Sequence, residues 1–380
     1  MAAGNSSGFN FMEPLSTKRP RVSSYVIEVM EPQIWENFPE DLFKDVLARL
    51  PFATIICFRT VCHQWNNLIT CQSFSQNRAQ VSHTNPWFYL TFRDDSYNVT
   101  FQKNNYKAVY DPFTKRWYYS DAFERLTLPV SSAGGLVCSF DFFNRKLYVG
   151  NPLTQSFKKL PVGSIKRWSY SGMTMNGSGG YKVLRFSRGR EYEIYDSLTK
   201  NWGHLEKLPE FIKKEPNFII SKHVSIDDTL YFIMHVGRDY RIVSCNTSTG
   251  VWAQHLIQVA LHSSFLRLVE SDGQIMLVGM LKENDSRFLC IWEVQKVTFL
   301  LKEVDRFPCS ESYGILRRLT CWGNKGLLLY YLRSDTMYHI VTYNIATRKW
   351  EKVCAPCRKK LPAKYSVFGT AFQPCLSAMP

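Results

Sequence analysis

The chain has 380 residues, 45% of them hydrophobic and 15% aromatic, with a net charge of +15. A composition able to bury so large a core excludes an intrinsically disordered chain. No apolar run in it reaches the ~20 residues that a membrane-crossing helix needs, which excludes a helical span.

Residues 1–30 are rich in Ser, Gly and Asn and read as a flexible tail. They lack the apolar stretch of a secretory leader but contain "KRPR", Lys18 to Arg21. That cluster reads either as a nuclear import signal or as an ordinary basic tail. The expected location is the nucleus, the cytoplasm or both.

Residues 31–78 change to helical spacing. Pro39 with Glu40 and Asp41 suits a first helical turn, where Pro loses no donor and carboxylates meet the positive end of the helix dipole. Leu42, Val46, Leu47 and Leu50 are expected on one face, and Pro51 ends that helix. Ile55, Ile56 and Phe58 mark a second helix, and Val61, Trp65, Leu68 and Ile69 a third. Three such short helices barely make a core, so the unit needs another surface over its apolar face.

This stretch resembles an F-box, whose pattern runs L-P-x-D/E-L, then L-P, then V-C-x-x-W. The matching residues are Phe38-Pro39, Asp41-Leu42, Leu50-Pro51, and Val61-Cys62 with Trp65. Phe38 stands where Leu is usual, and His63 where Lys is usual. The resemblance implies docking on the Skp adaptor of a cullin-based ubiquitin ligase. The adaptor-binding residues it implies are Phe38, Pro39, Leu42, Val46, Leu50, Pro51, Ile56, Val61, Trp65 and Leu68.

Residues 79–380 form the second domain, and from residue 87 the pattern is of short β-branched and aromatic runs separated by Gly, Asn, Asp and Pro. A repeat organises them. The pairs are Asp111 with Trp117, Asn151 with Phe157, Asp196 with Trp202, Asn246 with Trp252, Glu293 with Phe299, and Asn344 with Trp350. The aromatic follows its anchor by six residues, and Thr follows by three except after Glu293, where Lys296 stands. An Asp or Asn at a strand end bonds its own backbone two residues on and starts a tight turn. The aromatic then opens the next strand. Repeats of this length, each a small antiparallel sheet, bury their faces by packing around a ring. The expected fold is a small all-α unit followed by an all-β, six-bladed, kelch-like β-propeller, with a seventh cryptic blade left open. "VFGTAFQP" (367–374) is expected to supply the inner strand that the first unit lacks. The pattern resembles kelch and F-box-associated propellers, although only Gly134-Gly135 and Gly179-Gly180 keep the double glycine.

Residues 81–380 hold 40 of the 47 Lys and Arg and 25 of the 32 Asp and Glu, so the positive surplus lies in the repeats. Such a field favours acidic partners, nucleic acid or protein, or reflects solvated turns alone. The hairpins opposite the Asp/Trp turns carry Arg145, Arg188, Arg190, Arg238, Arg241, Arg287 and Arg333, interleaved with acidic residues. Trp168 lies on a long crossing with Lys166 and Arg167. These are the candidate target-binding residues; the plainer reading is mixed solvated turns.

The residues show no catalytic constellation, phosphate loop or His-based metal motif. Cys354 and Cys357 make a lone C-x-x-C without a second pair, so no metal and no cofactor are expected. The 11 cysteines read as free thiols of a reducing compartment. Taken whole, the chain resembles plant F-box/kelch proteins of the Hawaiian Skirt and Unusual Floral Organs kind. That implies a non-catalytic substrate receptor, bound through the adaptor to a cullin and holding an unknown target protein. The alternative is a binding module whose basic face meets nucleic acid or a transcription complex.

Overall fold

The computed structural model describes residues 39–80, 86–94, 105–119, 127–141, 143–166, 170–177, 179–187, 191–213, 219–220, 223–237, 239–309, 314–356 and 365–380. Expectations for Lys18–Arg21, Phe38, Trp168, Arg188, Arg190, Arg238 and Cys357 fall outside these residues. The chain divides into two compact units, residues 1–84 and 85–380.

The first unit has helices at Glu40–Arg49, Phe52–Phe58, His63–Thr70 and Gln72–Gln80. Pro39 and Pro51 sit just before the first two helices in extended conformation. Their position explains both breaks, because a Pro there sacrifices no intrahelical bond. The third helix starts at Cys62, whose thiol accepts the N–H of Trp65 at 3.5 Å. The spacing of V-C-x-x-W is thus the spacing of a helix cap to its third residue. The fourth helix carries no apolar period in the sequence, because its stretch is almost wholly polar. Two residues anchor it. Phe74 is buried, and Arg78 donates to the carbonyls of Ala48 and Leu50 at 2.9 and 3.0 Å, closing the end of the first helix.

The second unit is a six-bladed propeller, its described strands making six antiparallel sheets. Blade two shows the plan: inner strand Thr127–Ala133, then Leu136–Asp141, Lys146–Asn151 and the outer strand Ser156–Lys159. Blades five (263–308) and six (316–353) repeat it. Blade three (170–207) splits its outer strand in two, and blade four (219–257) splits its inner strand. Blade one takes its inner strand, Tyr365–Phe372, from the far end of the chain. That strand pairs with Trp87–Asp94 along its whole length, from Tyr365 opposite Asp94 to Phe372 opposite Trp87. The ring closes as the sequence predicts. Apolar clusters lie between neighbouring blades. One joins Leu90, Phe92 and Val367 of blade one to Leu329 and Tyr331 of blade six.

The outer turns follow the anchor rule. Asp111 Oδ1 accepts the N–H of Phe113 at 2.9 Å, Asn151 that of Leu153 at 3.0 Å, Asp196 that of Leu198 at 2.8 Å and Asn246 that of Ser248 at 2.9 Å. Asn344 reaches one residue further, to Thr347, at 2.9 Å. The fifth turn residue then enters the left-handed region in each: Lys115, Gln155, Lys200, Gly250 and Arg348.

Blade five requires a correction. Neither Glu293 nor Phe299 holds its predicted place. Glu293 lies inside the strand Ser286–Val294, opposite Lys302. The anchor is Gln295. Its N–H donates to the Leu300 carbonyl at 3.0 Å and its carbonyl accepts from Phe299 at 2.9 Å. Asn246 makes the same two bonds with Val251 and Gly250 in blade four, both at 2.9 Å. Phe299 is therefore the fifth turn residue, at φ 55°, and Leu301 takes the strand-opening place. With this register Thr298 stands three residues after its anchor, so the threonine rule has no exception. The shift escapes sequence reading because Glu293 and Phe299 imitate the expected pair at the expected distance. A left-handed Phe is unfavourable; here its ring stacks on His255 of blade four, centroids 3.7 Å apart.

The repeat tryptophans are half-buried rather than engulfed. Trp350 packs on Tyr343 and Tyr330 of its own blade and on Phe307 of blade five, with centroids 4.4, 5.3 and 4.9 Å away. It is a blade-to-blade contact, as its place in the repeat suggested.

Candidate functional site

Two surfaces carry the functional candidates. On the helical unit, Leu47, Ala48, Phe52, Ile55, Leu68, Ile69 and Phe74 form the core. The expectation of a single apolar stripe on the first helix is not met. Leu47 turns inward, while Leu42 and Val46, one turn apart, are 53% and 46% exposed. Val61 is 60% exposed. Leu50, Pro51, Ile56 and Trp65 are half-buried. Trp65 is wedged between Phe43 and Phe58, each centroid 5.0 Å away. Pro39 is exposed. Leu68, at 8% exposure, belongs to the core: it supports the surface from beneath and offers nothing to a partner. The correction has a simple cause. On a short helix the 3.6 period says which residues share a stripe, not which side of a wide stripe the neighbouring helices cover. What remains outside are three large apolar side chains, Leu42, Val46 and Val61, on a unit too small to bury all of its apolar surface by itself.

On the propeller, the hairpins joining second to third strands are 141–146, 186–191, 236–239, 283–286 and 334–338 in blades two to six. Alternation of strand direction puts them on one face, together with the connections between blades. The inner and outer turns occupy the opposite face. Arg145 stands exposed at a hairpin tip with φ 52°. Arg241 lies within a strand and donates to Gln254 at 3.2 Å. Arg333 donates to the Tyr365 carbonyl at 3.1 Å, across the seam between blades six and one. Arg287 lines an open pocket with His262, Lys282, Met280, Ile315 and Leu316. The interleaved acids are partly engaged: Asp335 takes a bidentate fork from Arg317 at 2.9 Å, and Asp285 pairs with Lys282 at 2.9 Å.

The sequence reading missed a second set of arginines on this face. Arg93, Arg267 and Arg318 come from blades one, five and six. They lie within strand runs rather than in hairpins, so no turn signal marks them.

One buried ion pair organises the crossing from blade two to blade three. Glu193 is fully buried and binds Arg185 Nε at 2.6 Å. Its carboxylate also accepts the N–H groups of Ser164 and Ile165, both at 3.0 Å. Arg185 lies 4.0 Å over the Trp202 ring. The segment that leads to Trp168 is thereby tied to a fixed charge.

Residues 35–77 match the F-box domain model, and residues 88–298, more than half the chain, match the model of the F-box associated beta propeller domain. The chain belongs to the F-box proteins with an associated propeller. F-box only protein 6 of Arabidopsis thaliana is 43% identical over 368 residues, covering 92% of this chain and 76% of its own length. Protein UNUSUAL FLORAL ORGANS of the same plant is 24% identical over 374 residues, covering 86% and 80%. The F-box match spans the residues that leave Leu42, Val46 and Val61 exposed, and F-box domains imply binding to Skp-type adaptors. Membership of this family supports a general role as a substrate receptor.

Proposed function

We propose that this F-box protein is the target-recognition subunit of a Skp–cullin–F-box ubiquitin ligase. The observation that carries the reading is the exposure of Leu42, Val46 and Val61 inside the matched F-box, on a chain that also carries a propeller. The F-box docks on the adaptor through these side chains, the propeller holds the target, and proximity raises the target's effective concentration near the ubiquitin-carrying enzyme. In this reading the chain performs no bond chemistry itself. It works in the nucleus or cytoplasm, a reading supported by the free thiols of the described cysteines.

Affinity capture with the proteasome blocked tests it. The wild type is expected to bring down a Skp-type adaptor and cullin. Leu42→Asp with Val61→Asp is expected to lose both while the propeller melts normally. Persistence of the adaptor on that variant, or on a chain lacking residues 33–78, overturns the reading. The positive surplus of the repeats favours nucleic-acid contact as the second reading. That reading requires DNA binding that falls steeply with salt, and no binding near roughly 0.1 M salt removes it.

A further inference from the structure

Residues 142–190 contain no Asp or Glu and hold ten Lys or Arg, so two-thirds of the net charge of +15 sits in 49 residues. They run from the hairpin of blade two, through its outer half, to the hairpin of blade three. Two of the ten are engaged within the fold. Arg185 binds Glu193, and Lys182 donates to the Thr247 carbonyl and the Ser248 hydroxyl at 3.4 and 3.3 Å.

Five others gather at the hairpin-side end of blade two. Arg145 is the exposed hairpin tip, and Lys146 opens the third strand. Lys158 and Lys159 end the outer strand, opposite Val149 and Tyr148. The third strand begins at that end and the outer strand finishes there, so the pairing register brings the four together. Lys159 shares a side of the sheet with Lys146, because its partner Tyr148 lies two residues on from Lys146. Lys166 is exposed on the crossing that follows, just after Ile165, whose N–H the buried Glu193 carboxylate accepts at 3.0 Å.

Like charges so placed repel, and Lys146 beside it holds the Lys159 ammonium below its ordinary pKa. Exposed cations on other blades take acids: Lys115 pairs with Glu351 at 2.7 Å, and Lys282 with Asp285 and Arg317 with Asp335, both at 2.9 Å. Among the described residues no carboxylate pairs with Lys146, Lys158, Lys159 or Lys166. Asp141 stands opposite Lys146 in the register, but it is fully buried and accepts the N–H groups of Phe143 and Asn144 in its own hairpin. Lysines on an edge strand also keep other strands from pairing. That role accounts neither for Lys166 on the crossing nor for the lack of acids over the whole segment.

We propose that the hairpin-side rim of blade two, carrying Arg145, Lys146, Lys158, Lys159 and Lys166, is a contact surface for the phosphate backbone of a nucleic acid. This rests on the second reading above and gives it a place on the propeller. The chemistry favours nucleic acid over an acidic peptide. Four of the five cations are ammonium groups on flexible stems, point charges that follow phosphates without a fixed geometry, whereas carboxylates are matched by guanidinium forks. The cations are spread over two strands and a crossing at a blade edge, as a rod of phosphates requires.

The test is fluorescence anisotropy on the full chain with a labelled DNA duplex of about 20 base pairs and a single-stranded RNA of equal length, at several salt concentrations between about 0.05 and 0.2 M. Duplex and single strand share the phosphate chemistry, and the tighter of the two identifies its source. Exchange of Lys146, Lys158, Lys159 and Lys166 for Gln is expected to weaken binding tenfold or more at about 0.1 M salt and to lower the slope of log affinity against log salt by about three. Lys158→Gln with Lys159→Gln, and Lys166→Gln alone, are expected to lower it in proportion, which keeps the test valid if the fourfold variant misfolds. Lys349→Gln with Lys352→Gln, on the outer strand of blade six, is expected to leave it unchanged. Nucleic-acid binding that the blade-two variants leave unaltered overturns this inference and leaves the second reading standing. A wild type that binds neither nucleic acid near 0.1 M salt, whether or not it binds a labelled oligoglutamate, removes both.

Discussion

The indole N–H of Trp117 donates to the carbonyl of Cys354, 2.8 Å away and 237 residues later in sequence. Trp117 opens the outer strand of blade one, and Cys354 follows the outer strand of blade six. Trp202 makes the same bond to Pro161 between blades three and two, at 2.9 Å. In blades one and three the repeat tryptophan is therefore a tie to the preceding blade, and in blade one it closes the ring's outer rim. The inner rim is closed by Tyr365–Phe372.

Removal of residues 365–380 takes away the inner strand of blade one and, with it, Tyr365, Val367 and Ala371 of the cluster against blade six. The segment after that strand also leaves: Leu376 is buried, and Asn151 Nδ2 donates to the carbonyls of Cys375 and Ala378 in blade two's territory. The truncated chain is expected to lose the cooperative melting transition of the propeller in calorimetry. A normal transition would contradict closure by this strand.

The corrected register of blade five has its own test. Gln295→Asn shortens the side chain so that its oxygen can reach the turn N–H groups, as in the other blades. It is expected to add about 0.5–1 kcal/mol of stability. Glu293→Gln, within the strand, is expected to change stability by less than about 0.5 kcal/mol. Urea unfolding checks both, and the reverse ranking would restore Glu293 as anchor.

Half-burial of Trp350 sets its contribution below that of an engulfed tryptophan. Trp350→Ala is expected to cost about 2 kcal/mol rather than the 3–5 kcal/mol of a full-core truncation. Trp350→Phe is expected to recover much of that loss. Equilibrium unfolding of the three chains measures the order.

Breaking the buried pair at Glu193 leaves an uncompensated guanidinium and two main-chain donors. Glu193→Ala is expected to cost about 3–5 kcal/mol. Adding Arg185→Met is expected to recover only part, because Ser164 and Ile165 still lack their acceptor. A double-mutant cycle by thermal unfolding measures this.

Lys107 supplies a pH dependence. It is buried in blade one, and burial pushes its ammonium down to about 7 from 10.5, with Asp141 acting in the other direction. Between those values the unfolded chain binds more protons than the folded one, so stability rises with pH across that window. Below the folded value the full penalty of charging the group is present. Lys107→Met is expected to flatten the slope and to stabilise most at the acid end. Asp141 keeps its own donors, the N–H groups of Phe143 and Asn144 and the Asn144 amide. Urea midpoints at about pH 6.5 and about pH 9.5 decide the sign.

The sequence by itself determined what local chemistry controls. Asp or Asn at a strand end, with Thr three residues on, specifies a turn within a few residues, so the blades could be counted before any contact was known. Pro39, Pro51 and the Cys62–Trp65 spacing are likewise local and marked the helix breaks of the F-box. The tertiary structure alone decided three things. It chose which side of the first helix is covered, sending Leu47 inward and leaving Leu42 and Val46 outside, because neighbouring helices and not periodicity remove water from a face. It moved the blade-five anchor to Gln295, because main-chain bonding fixes register where side chains are ambiguous. And it brought Arg93 and Arg318 to the one ring of Phe368. Their meeting depends on closure of the ring, which brings together strands that no spacing along the chain relates.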